Sequence, residues 1–115
     1  FRGHPCTVWA TEDVKNTAWL IAHGSSLCYE YYKRYGKVHS CSDTVNEARG
    51  IFLKYSGEND FSILRKVTKF AFAGPDEFKY DTSIDIFTQY KRYIASKPWV
   101  ATNYLRNPSR KPNWL

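Results

Sequence analysis

The chain has 115 residues, 43% of them apolar, which suits one domain with a small core and leaves no room for two. No apolar run nears the roughly 18–20 residues of a membrane span, and the opening Phe1-Arg2-Gly3-His4-Pro5 lacks a secretion signal. The net charge of +6 is segregated: residues 1–85 hold 11 basic and 11 acidic side chains, so the excess lies in Lys91, Arg92, Lys97, Arg106, Arg110 and Lys111.

Residues 1–10, with Gly3, Pro5 and the run Thr7-Val8-Trp9-Ala10, read as an extended entry into a helix. That helix is predicted from residue 12 or 16 to residue 35. Its stripe, Leu20, Gly24, Leu27, Cys28, Tyr31 and Tyr35, keeps three-and-four spacing, and Gly36 stands where a left-handed cap belongs. A second helical pattern begins near Ser42, with Thr44 and Glu47 at capping-box spacing, and carries Val45, Ala48, Phe52 and Tyr55 until Ser56-Gly57 stops it. Residues 58–80 read as short strands or irregular packed segments, at Phe61-Ser62-Ile63-Leu64 and Val67-Thr68-Lys69-Phe70-Ala71-Phe72, with a turn at Gly74-Pro75-Asp76.

A third helix is predicted over residues 82–96, on the stripe Ile86, Phe87, Tyr90, Tyr93 and Ile94. Lys97-Pro98 ends it, because the residue before proline disfavours helical geometry. One more helical turn over 99–104 and a proline-punctuated basic arm complete the chain. The expected fold is mainly α: a compact single-domain helical bundle over 1–115, with irregular or short extended segments between helices. The stripes of the first and third predicted helices invite antiparallel packing.

Two stretches interleave cations with aromatic rings. The first, Glu30-Tyr31-Tyr32-Lys33-Arg34-Tyr35-Gly36-Lys37-Val38-His39, covers a helix end. The second spans the C-terminus, with Lys91, Arg92, Lys97, Trp99, Tyr104, Arg106, Arg110 and Lys111. Cations neutralise phosphates and exposed rings stack on unpaired bases, so Lys33, Lys37 and the C-terminal set are candidate nucleic-acid contacts. The same residues also fit an ordinary helix end, with Glu30 and Arg34 paired four apart, followed by a solvated basic tail. Spacing alone leaves open whether the two clusters share a face.

His4-x-Cys6, His23 with Cys28, and His39-x-Cys41 lack the knuckle spacing of zinc sites, so no metal is expected, and Cys28 reads as a core residue. Three cysteines leave one unpaired and suit a reducing cytoplasm. No Gly-rich phosphate loop or nucleophilic triad is present, and no cofactor is expected.

His4-Pro5-Cys6-Thr7-Val8-Trp9, Trp19-Leu20, Leu27-Cys28-Tyr29-Glu30-Tyr31 and Arg34-Tyr35-Gly36-Lys37-Val38-His39 occur here in an order that resembles a set of phage-encoded proteins. These look like distant relatives of the pyrimidine-dimer DNA glycosylases of the endonuclease V type. Pro75-Asp76-Glu77-Phe78-Lys79, the helix around Tyr90 to Tyr93, Lys97 and Pro112-Asn113-Trp114 extend the likeness over nearly the whole chain. The resemblance implies a helical, DNA-handling domain in the cytoplasm of an infected bacterial host, with DNA as partner and His4, Glu30, Arg34 and His39 as a polar site. It also implies that an N-terminal portion precedes Phe1. Such glycosylases attack the sugar with their own α-amine, so the chain beginning at Phe1, which lacks methionine, is expected to be a fragment or processed product without glycosylase activity. Ala10-Thr11 stands where the phage group usually has an arginine. The alternative is a non-catalytic phage accessory or structural protein that binds another protein through its aromatic surface, with no membrane partner in either case.

Overall fold

The computed structural model describes residues 2–56, 67–79 and 83–115. Among the described residues four α-helices carry the mainly α fold: α1 (Pro5–Glu12), α2 (Val14–Tyr35), α3 (Ser42–Ser56) and α4 (Ile86–Ala95). A short 3₁₀ turn at Asp76–Phe78 precedes α4, and two more follow it at Pro98–Thr102 and Pro108–Arg110. Among the described residues no helix is long and apolar enough to cross a membrane. Phe1, Gly57, the predicted segment Phe61-Ser62-Ile63-Leu64 and Thr82 lie outside the described residues.

The predicted extended entry is a helix. Pro5 occupies the first turn, where a missing N–H costs nothing, and the His4 ring accepts the Cys6 N–H at 3.1 Å. Only Trp9 of this helix is buried, while Val8 is exposed, so the run Thr7-Val8-Trp9-Ala10 presents one ring to the core. Extended backbone at Asp13 breaks the helix, and the Asp13 carboxylate then caps α2 by accepting the Lys15 N–H at 2.8 Å. The last carbonyls of α1 are met from α2. Asn16 Nδ2 donates to Trp9 O at 2.8 Å and Thr17 Oγ1 donates to Ala10 O at 2.6 Å.

α2 ends as expected, with Gly36 in the left-handed region at φ 67° and its N–H bonded to Tyr32 O. Its predicted stripe is corrected at Leu27, which is exposed, and at Cys28, which is half-buried; the helix buries Asn16 and Ala18 instead. α3 packs on α2 where Gly24 lies against Val45. It starts at Ser42, as the sequence predicted, where His39 accepts the N–H of Cys41 on its ring and that of Ser42 on its carbonyl, both at 3.0 Å. Thr44 therefore lies inside the first turn. α4 starts later than predicted because Asp85 caps it, accepting Thr88 N–H at 3.0 Å and Thr88 Oγ1–H at 2.8 Å.

Residues 67–73 form neither helix nor strand. Side chains take the place of a partner strand for this segment. Asn16 clamps Thr68, donating from Nδ2 to Thr68 Oγ1 at 2.8 Å and accepting Thr68 N–H on Oδ1 at 3.0 Å. Tyr90 donates its hydroxyl to Ala71 O and accepts Ala73 N–H, each at 3.0 Å. Between these clamps Phe70 stacks on Trp9 at 5.0 Å and meets Trp19 at 4.7 Å and Phe87 at 5.2 Å. The predicted direct packing of α2 on α4 is thus mediated by an aromatic layer at this end of the molecule.

Candidate nucleic-acid interface

The C-terminal arm folds back onto the end of α2. The Asn107 Nδ2 amide donates to Lys33 O at 2.9 Å, and Tyr35 OH donates to Asn103 O at 3.2 Å. The Glu30 carboxylate joins the two basic clusters: Oε1 accepts Arg34 Nε at 2.9 Å and Arg110 Nε at 3.3 Å, while Oε2 pairs with Arg110 Nη2. These contacts hold the Glu30 carboxyl below the usual carboxylate range, with the Arg110 bond the largest cause, and raise the Arg110 guanidinium correspondingly.

Rings support four of the cations. Arg34 lies over Tyr104 at 4.2 Å, Lys97 over Tyr93 at 4.4 Å, Lys33 over Tyr29 at 5.2 Å and Lys91 over Trp114 at 5.7 Å. A cleft of about 450 Å³ opens between the arm and the ends of α2 and α4, lined by Glu30, Arg34, Trp99, Tyr104, Arg110 and Trp114. Compared with protein-family models, curated proteins and solved structures, the chain matches none.

The two clusters share one end of the molecule. Lys37, Lys91, Arg92, Arg106 and Lys111 are exposed there, as is Trp99 at 51% of its surface. Tyr104, by contrast, is buried beneath Arg34, so its ring offers no free stacking face. Tyr32, one of the rings in the α2 cluster, is half exposed.

Of the four polar candidates, Glu30 and Arg34 come together, and His39 packs edge-on against Tyr31 at 4.8 Å. His4 caps α1, and among the described residues no hydrogen bond or ion pair links it to the other three. Both His-x-Cys motifs use the same bond, from the cysteine N–H to the histidine Nδ1, and each marks a helix start. Among the described residues no three His, Cys, Asp or Glu side chains converge as a metal site, and Cys6, Cys28 and Cys41 are free thiols. Sequence reasoning missed Asn103 and Asn107, which pin the arm; the Asn107-Pro108 pair was the available turn signal.

Proposed function

We propose that this chain is a DNA-handling domain of the kind the phage glycosylase-like resemblance implies, binding the nucleic-acid backbone at the end of α2 and α4. The observation that carries this reading is the fold-back of the arm. Asn107 on Lys33 and Arg110 on Glu30 bring Lys33, Lys37, Arg106 and Lys111 to one region, where their fields add. Glu30, the carboxylate within that region, is already neutralised by two guanidinium groups, so it does not repel a phosphate. The exposed indole of Trp99, which lines the cleft with Arg34 and Arg110, suits stacking with an unpaired base.

The test is fluorescence anisotropy of labelled duplex and single-stranded DNA over a range of salt. Replacing Lys37, Arg106 and Lys111 together by Gln leaves the Glu30 clamp intact. On duplex DNA the slope of log affinity against log salt should flatten by about 0.9 for each phosphate that is no longer neutralised. Trp99→Ala should weaken single-strand binding by about 1–3 kcal/mol if one base stacks there. An unchanged salt slope in the triple variant removes this reading.

A further inference from the structure

The cleft between the C-terminal arm and the ends of α2 and α4 holds donors that the fold itself leaves unused. Arg34 donates its Nε–H to Glu30 at 2.9 Å and lies over the Tyr104 ring at 4.2 Å, which holds its guanidinium in place. Its two Nη nitrogens have no hydrogen-bond partner among the described residues, and neither is buried. The side chain is 23% exposed and lines the cleft. Arg110 meets Glu30 from the arm, so two guanidinium groups outnumber this carboxylate, the only acidic side chain among the described residues that line the cleft. One positive charge there is left uncompensated, on an arginine fork shaped for two oxygens of one anion.

Two indoles form other parts of the lining. Trp99 comes from the Pro98–Thr102 turn, and Trp114, which is 38% exposed, comes from the arm. The volume of about 450 Å³ falls within the range of small-molecule sites, roughly 300–1,000 Å³. One singly charged anion joined to one flat ring is the chemistry of a nucleotide within a strand. Its phosphodiester carries one charge, and its base offers a face for stacking when it is unpaired, whereas a continuous duplex covers that face with neighbouring bases.

We propose that this cleft binds one unpaired nucleotide of a DNA single strand, with the phosphodiester on the Arg34 Nη groups and the base on Trp99 and Trp114. The assignment rests on the nucleic-acid reading above. It adds a substrate class, single strand rather than duplex, and two residues, Arg34 and Trp114, that surface charge alone does not single out.

The probes are a short oligothymidine strand and an abasic strand of equal length, which share their phosphates and differ in the bases. Binding to the intact chain is measured by fluorescence anisotropy over a range of salt. The thymidine strand should bind about five-fold or more tightly, the effect of one stacked base. Trp114→Ala should reduce that preference and leave the affinity of the abasic strand unchanged. Arg34→Gln should weaken both strands and flatten the salt slope by about 0.7, the loss of one phosphate contact on a single strand. If either variant does not fold by circular dichroism, NMR of the unaltered chain replaces it: the Trp99 and Trp114 indole resonances should move with the thymidine strand and stay still with the abasic one. The preference should also persist when Lys37, Arg106 and Lys111 are replaced by Gln, since none of them lines the cleft. Equal affinity for the two strands, with the slope still flattened in that triple variant, overturns the cleft assignment and leaves the surface reading standing. A persistent preference with an unchanged slope in the triple variant supports the cleft and removes the surface reading. Binding of neither strand overturns both, and free thymidine monophosphate binding as tightly as the strand overturns the single-strand assignment.

Discussion

Replacing Asn16 by leucine, which keeps the branching and the number of heavy atoms but removes the amide, tests how the molecule is joined at its aromatic end. Asn16 is completely buried and makes three bonds, to Trp9 O, Thr68 Oγ1 and Thr68 N, so it ties α1, α2 and the 67–73 segment together. Each such bond contributes about 1 kcal/mol net, which gives about 3 kcal/mol for the three. Two effects bracket that figure. The Trp9 carbonyl is left without its partner, which adds a desolvation penalty, whereas Thr68 is exposed as a residue and its N–H can recover a water. The expected loss is therefore about 2–4 kcal/mol. For a chain of this length the corresponding fall in Tm is on the order of 10 °C. Urea denaturation followed by tryptophan fluorescence is a suitable assay, since Trp9 and Trp19 meet at 5.7 Å beside the site, and far-UV circular dichroism checks that unfolding is two-state. Thr68→Val removes one of the three bonds and should cost about 1 kcal/mol, with the double variant losing less than the sum of the singles. A loss below about 1 kcal/mol for Asn16→Leu, or strict additivity, would refute the argument that this amide joins the elements.

Gly24 and Gly36 should respond to alanine in opposite directions. A Cβ at Gly24 meets Val45 at 3.4 Å, an ordinary contact, so Gly24→Ala should gain up to about 1 kcal/mol of helix propensity in a denaturation curve. Gly36→Ala forces a side chain into positive φ and should cost about 1 kcal/mol in the same measurement. Because the folded-state pKa of Glu30 is depressed, its ion pairs stabilise the chain above the unfolded carboxylate pKa near 4.5 and are lost as pH falls through the folded value. Glu30→Gln should lose about 0.2–1 kcal/mol per exposed pair near neutral pH and flatten the acid limb of stability against pH. The folded-state pKa of His23 is likewise depressed, because partial desolvation penalises its cation, so stability is unaffected above about pH 6.5 and falls as pH drops through the folded value. His23→Gln should remove this pH dependence, as judged by urea midpoints across the window. Borohydride trapping on abasic DNA should give no covalent adduct; an adduct that survives replacement of every lysine and vanishes when the Phe1 amine is blocked would refute the expectation of inactivity.

The parts of the fold legible in the sequence are those whose cause lies within a few residues. α2 follows from apolar spacing closed by Gly36, α4 stops at Lys97-Pro98, and the segregation of positive charge into residues 86–115 is plain composition. The caps that start the helices were less legible. For α3 the start near Ser42 was legible, while the part played by the His39 ring, bonding an N–H two residues on, was not. α1 was hidden because a single buried ring, Trp9, leaves no stripe to read.

What only the tertiary structure decided is which distant residues meet. Glu30 and Arg110 are 80 positions apart, Asn107 reaches Lys33 across 74, and Asn16 reaches Thr68 across 52. Pairs at such separations have no periodicity and leave no local signature, since each side chain has a sufficient local role: Glu30 four before Arg34, Asn16 near a helix start, Arg110 in a basic tail. Local sequence determines helices through short-range hydrogen bonds and apolar spacing. The gathering of the two basic clusters, and the aromatic layer around Phe70, come from long-range contacts whose geometry exists only once the helices have packed.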